Sequence, residues 1–184
     1  MVRDSDFDML ALTETWLHGI EYDEYVARDC CPIGYTLHHV PRFGTTGGGV
    51  GAIIKNTFKV TRQELPCFKS FEHLVLLIKS TTFLVLLAIV YRTGPVPLLL
   101  ASLELFLLVG DFNIQNDRTA LQFVGLLETC NLPTSTCQYG YTQDGHILDL
   151  VITRADENFL SDFTVFQPGL SDHLNCCSVS SKLL

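Results

Sequence analysis

Charged side chains are scarce in this sequence, basic ones especially, and no cysteine or histidine pairs occur at metal-ligand spacing. Charged residues make up 17% of the chain against 47% hydrophobic, which excludes a disordered, solvated polypeptide and implies a large buried layer. Lys and Arg number 12 against 20 Asp and Glu, for a formal charge of −8. Non-specific affinity for nucleic acid comes mainly from basic residues neutralising phosphates, so this balance argues against a tight, processive DNA binder. It does not exclude metal-assisted chemistry on a phosphate ester. Such a site collects carboxylates, and its cation reverses the local field that a phosphate meets.

The seven cysteines are odd in number and lack any CxxC pair, so neither a zinc site nor a disulfide framework is indicated. They read as small buried residues. The opening MVRDSDFDML has no uninterrupted apolar stretch, so no signal peptide is expected and the protein reads as intracellular, nuclear or cytoplasmic. A spanning helix needs about 20 apolar residues. Residues 74–90 are interrupted by Lys79-Ser80-Thr81-Thr82, and residues 98–109 are too few and carry Glu104. Both read as buried core rather than membrane spans. With 184 residues and no repeat, linker or low-complexity segment, the expectation is a single domain over 1–184.

Apolar runs organise the chain. Residues 7–13 form a short run that delivers a carboxylate, Glu14, to its end, as a buried strand does. Residues 35–40, Gly47-Gly48-Gly49 and residues 50–54 read as strand, glycine turn and strand. Residues 58–64, 72–78 and 83–91 are rich in strand formers, with Lys79-Ser80-Thr81-Thr82 as a tight turn. After Gly94-Pro95-Val96-Pro97 a helical turn and a strand at 106–109 are expected. Ala120, Phe123, Val124 and Leu127 mark an amphipathic helix over 118–130. Further strands are expected at 147–153, 163–166 and 175–179. Many strands with few helices, and no strict βα alternation, predict packed sheets with helices outside.

Polar residues stand at the ends of these runs: Glu14, Tyr91-Arg92, Asp111 with Asn113, and Asp172-His173, while Asp149 interrupts an apolar strand. Glu14 alone reads as a loop carboxylate, Gly-Asp-Phe-Asn as a turn and His173 as a surface histidine. Asp149 is harder to set aside, because a buried carboxylate needs a partner. His173 is the natural candidate, since an aspartate on one imidazole nitrogen fixes the tautomer and raises the basicity of the other. Together the set suits metal-assisted cleavage of a phosphate ester.

The ordered motifs ALTETWL, GGGVGAII, AIVYR, VGDFN, ILDLVIT and LSDH resemble those of the endonuclease/exonuclease/phosphatase superfamily. That superfamily holds deoxyribonuclease I-like enzymes, apurinic/apyrimidinic endonucleases and LINE-type, non-LTR retrotransposon endonucleases, the last being the nearest in wording. The resemblance spans nearly the whole chain and is specific only as an ordered set. It implies an α/β (α+β) fold, a four-layered sandwich of two mixed β-sheets flanked by helices, with the active site at one edge. It implies Mg2+ as cofactor, with Mn2+ as a substitute, and DNA as substrate, with no membrane and no obligate protein partner.

By position, Glu14 is the expected metal ligand and Asp172 supports the metal region. Tyr91 would contact the scissile phosphate, Asn113 would orient it, and Asp111 would orient or deprotonate the attacking water. His173, held by Asp149, would act on the phosphate or as acid/base partner, and Arg92 is a further phosphate contact. Three departures stand out. The family's first strand, with its asparagine, is missing, and residues 93–105 replace a segment that usually holds a full helix. Tyr141-Thr142-Gln143 stands where retrotransposon members show a Thr-His pair. The chain therefore reads as incomplete, either an impaired DNA-nicking phosphodiesterase or an inactive, binding-only remnant. A phosphatase or phosphodiesterase for small phosphoesters or phospholipids is the third reading.

Overall fold

Val, Ile, Leu and Phe crowd the strand runs so densely that both faces of a central sheet are apolar, and the structure buries both. The computed structural model describes residues 7–42, 47–66, 71–92, 106–114, 147–153, 160–166 and 176–181. In chain order these form β1 (Met9–Thr13), α1 (Glu21–Cys30), β2 (Tyr35–Val40), β3 (Val50–Lys55), β4 (Lys59–Gln63) and β5 (Phe71–Lys79). Then follow β6 (Leu84–Arg92), β7 (Phe106–Ile114), β8 (Ile147–Thr153), β9 (Leu160–Phe166) and β10 (Cys176–Ser181).

A five-stranded sheet runs β4-β5-β6-β7-β8, with β6 and β7 parallel and the other neighbours antiparallel. A three-stranded antiparallel sheet runs β1-β3-β2, with Thr13 and Val40 both opposite Val50. β9 and β10 form a separate antiparallel pair. This is the expected α/β sandwich; among the described strands the larger sheet is mixed and the smaller antiparallel. The outer edge of β1 has no partner strand among the described residues. The helix expected over 118–130 and the segment 93–105 lie outside the described residues.

The core lies between the two sheets. Val50, Ala52 and Ile54 of β3 pack against Leu74, Leu76 and Ile78 of β5, Val85, Leu87 and Ile89 of β6, Leu107 of β7 and Val151 of β8. The alternate residues Val75, Ala88, Val90, Leu108 and Ile152 are buried as well. That is why these strands read as continuous apolar runs rather than as alternation. Lys79 to Phe83 closes the β5–β6 hairpin, with the Ser80 N–H donating to the Phe83 carbonyl at 2.9 Å. Residues 74–90, read above as core, are therefore a hairpin, and among the described residues no helix is long and apolar enough to cross a membrane.

Helix α1 has no counterpart in the sequence reading. Its tyrosines Tyr22 and Tyr25 are exposed and its one buried side chain is Asp23, so no apolar stripe announces it. The available signal was electrostatic: Glu21, Asp23 and Glu24 in the first turn and Arg28 in the last complement the helix dipole. Asp23 turns back to accept hydrogen bonds from the backbone N–H groups of His18 and Gly19, tying the helix to the segment after β1. The cysteine reading also needs correction, because Cys30 is exposed and Cys31 half-buried at the end of this helix, both with free thiols.

At Gly110 the large sheet leaves no room for a side chain. This residue has φ +151, and a Cβ there would overlap the Val90 carbonyl oxygen of the neighbouring parallel strand. Gly110→Ala is expected to lower stability by about 2–5 kcal/mol, or to prevent folding, from combined overpacking and strain. Gly34, with φ +88 and open space around it, is the control. Gly34→Ala should cost about 1–2 kcal/mol in the same urea titration.

Candidate active site

The apolar face of the large sheet ends in a polar row. Register pairs Glu72 with Tyr91 between β5 and β6, Tyr91 with Asp111 between β6 and β7, and Asp111 with Asp149 between β7 and β8. Facing partners project to the same side of a sheet. Glu72 continues the parity of Leu74, Leu76 and Ile78, and Tyr91 that of Val85, Leu87 and Ile89. Glu72, Tyr91 and Asp111 therefore lie on the face that packs against β3. Asp111 is buried, at 2% exposure.

The facing sheet supplies the other half. Strand β1 ends at Thr13, and the chain then crosses over the glycine turn, with Thr15 N–H donating to Gly49 O at 3.2 Å and Trp16 N–H to Gly48 O at 2.9 Å. This pairing holds Glu14 and Trp16 at φ 54 and φ 56, a left-handed backbone uncommon for such residues. Glu14 Oε2 accepts from Gly48 N–H at 2.7 Å, and the Tyr91 hydroxyl and the Trp16 indole lie near enough to favour its ionised form. Gly48 has φ +78, a backbone that strains any side chain, and a Cβ there would displace the Arg42 guanidinium.

Arg42 and Glu72 tie the halves together, and sequence reasoning missed both. Arg42 Nε donates to Glu72 Oε1, while Glu72 Oε2 accepts from Gly49 N–H at 2.6 Å. The guanidinium lies 5.2 Å from the centre of the Tyr91 ring. Arg42 was hidden as one basic residue in a polar loop. Glu72 carried a legible signal, a lone charge at core parity opening an apolar strand.

The network sets protonation. Burial disfavours the charged form of Glu14, but hydrogen bonds from Tyr91 and Gly48, the Arg42 charge and the Trp16 indole outweigh it and hold the carboxyl below its ordinary value. Burial and the Glu14 carboxylate, with a smaller contribution from Asp111, push the Tyr91 phenol up to about 12. Tyr91 is thus a neutral hydrogen-bond donor at any physiological pH, beside a carboxylate held ionised.

The sequence-derived residues divide into three groups. Glu14, Tyr91 and Asp111 come together. Asp149 and Asn113 lie at neighbouring register positions, with a shift between Asp111 and Ile114 that interrupts strand alternation around Asn113. Arg92 ends β6, while Asp172 and His173 lie outside the described residues. Among the described residues no three His, Cys, Asp or Glu side chains converge to enclose a metal ion.

Solved structures share this arrangement of strands. The endonuclease domain of TRAS1, a telomere-specific non-LTR retrotransposon, aligns with a TM-score of 0.67 at 13% identity over 95% of this chain and 85% of that one. A humanized D. rerio TDP2 aligns at 0.59 and 13% identity over 90% and 82%, and the AP endonuclease LMAP from Leishmania major at 0.58 and 13% over 92% and 76%. The fold is therefore the deoxyribonuclease I-like α/β sandwich. No protein-family model and no curated protein matches the sequence.

Two outcomes follow from this geometry. Glu72→Gln should cost about 1–2 kcal/mol by urea unfolding, because it weakens charge-assisted bonds to Arg42 and Gly49 at once. Glu64→Gln, removing the exposed Arg62 pair at 3.3 Å, should cost under about 0.5 kcal/mol. Because the folded carboxyl of Glu14 lies below its ordinary 4.5, its stabilisation is present above that pH and lost as pH falls through the folded value. The stability gap between wild type and Glu14→Gln should therefore be widest above about pH 5 and close on acidification.

Proposed function

We propose that residues 1–184 act as one domain, a divalent-metal-dependent phosphodiesterase that nicks DNA. The observation that supports this most is the convergence of Glu14, from one sheet, on the Tyr91–Asp111 row of the other. It joins an ionised carboxylate, a protonated phenol and a buried carboxylate at one end of the sandwich. The shared fold with the TRAS1 endonuclease domain and the AP endonuclease LMAP supports the same class of chemistry.

The donor set suits Mg2+ or Mn2+, which take oxygen ligands, keep several waters and need only one or two protein carboxylates. Asp111 and Asp149 occupy directly opposed register positions on β7 and β8, and a cation favours carboxylates brought together in this way. Glu14, with Asp172, would hold the ion, which when bound stabilises charge on the phosphoryl oxygens. Asp111 orients or deprotonates the attacking water. Tyr91 donates its hydroxyl to a phosphoryl oxygen, and Asn113 orients the same group. His173, positioned by Asp149, serves as acid/base partner. The Gly48 and Arg42 contacts keep Glu14 ionised and in place before substrate arrives.

The formal charge of −8 favours a second reading, a small phosphoester as substrate in place of DNA. The two readings separate in one experiment, with supercoiled plasmid and a soluble phosphodiester offered side by side with Mg2+ or EDTA. Expected is Mg2+-dependent conversion of supercoiled to open-circular plasmid, reduced about 100-fold or more by Asp111→Asn. Turnover of the small ester alone would move the assignment to the second reading, and folded protein inert on both substrates would overturn the enzymatic proposal.

A further inference from the structure

Trp16 is the only tryptophan in the chain and is 61% exposed. Single exposed apolar residues are ordinary, but this one is fixed at three points. Its φ is 56, its backbone N–H is bonded to Gly48 O at 2.9 Å, and its indole lies near enough to Glu14 to favour the ionised carboxylate. The six-membered ring borders Gly47, where a Cβ would lie 3.7 Å from Cζ2. A ring so held loses little freedom on binding, so its contacts are pre-organised. It stands beside the carboxylate at the centre of the candidate site.

We propose that the Trp16 ring is a stacking platform for a nucleobase next to the cleaved phosphodiester, so that the substrate class is DNA with an unpaired or unstacked base at that position. The inference rests on the phosphodiesterase reading and deepens it. With 12 basic residues against 20 acidic, phosphate neutralisation supplies little affinity, whereas stacking on an aromatic face does not depend on net charge. One stacked base strengthens binding by about 5- to 150-fold. A base already unpaired avoids the cost of leaving the duplex stack.

The single indole makes the test direct. Full-length protein is titrated with a short oligothymidylate and with an abasic strand of equal length while Trp16 fluorescence is followed. Nicking of bubble-containing and fully paired DNA is measured for wild type, Trp16→Phe and Trp16→Ala. Expected are quenching by the base-bearing strand only and preference for the bubble. Trp16→Ala should raise KM about tenfold with a smaller change in kcat, and Trp16→Phe should largely restore KM. Phe keeps a stacking face but lacks the N–H that reaches Glu14, so equal loss in both variants would assign Trp16 to holding Glu14 and overturn the platform. Equal quenching by both strands from an active enzyme would overturn it too, leaving the phosphodiesterase reading intact. Base-dependent quenching without any nicking would keep base stacking on Trp16 but overturn the hydrolytic reading, and with it the placement beside a cleaved phosphodiester.

Discussion

Val50, Ala52 and Ile54 of β3 bury against Leu74, Leu76, Leu87 and Ile89 of the larger sheet, and this contact fixes how far apart the two sheets stand. Face-to-face sheets pack about 10 Å apart, close enough for side chains at the ends of facing strands to meet. Where the apolar residues stop, Glu72, Tyr91 and Asp111 follow on one sheet, and Glu14, Arg42 and the glycine turn on the other. The candidate site is thus a continuation of the core in which hydrogen bonds replace apolar contact. Disturbing the packing at Ile89 or Leu74 would shift Tyr91 or Glu72, the next residues of that parity along their strands.

Electrostatics then distinguishes the two ends of the sandwich. Glu14 and Asp111 place negative charge on either side of Tyr91, and Arg42, ion-paired to Glu72, is the basic group that offsets part of it. Glu72 satisfies both Arg42 and Gly49 N–H, which leaves the Gly48 N–H for Glu14. The glycines serve two purposes there: they permit the left-handed backbone, and they clear space for the guanidinium. An arrangement that keeps a carboxylate ionised and a phenol protonated, with negative charge to spare, is suited to a cation and a phosphate together.

Much of this was legible in the sequence for identifiable reasons. Strands β3, β5, β6 and β8 were read nearly to their ends because burial on both faces makes them continuous apolar runs, and Glu14 stood out because β1 stops just before it. Tyr91 and Asp111 stood out as polar residues following apolar runs, although β7 continues past the expected 106–109 to Ile114, and the parallel β6–β7 register brings them side by side. Helix α1 escaped because its contacts are polar and its aromatic residues face solvent. Arg42 escaped because an ion pair between a loop and a strand thirty positions apart leaves no local pattern, whereas Glu72 was legible as a lone charge at core parity and was overlooked. The pairing directions were not legible, since they depend on connections that hydrophobic pattern does not encode.

The central claim is that Glu14 and the Tyr91–Asp111 row form a metal-dependent phosphodiesterase centre. The most direct measurement is anomalous scattering from Mn2+ in crystals of the full chain. The account predicts one strong peak within coordination distance of the Glu14 carboxylate, on the side facing Asp111, and no such peak in crystals of Glu14→Gln. Manganese bound only elsewhere, or equally in both proteins, would contradict it.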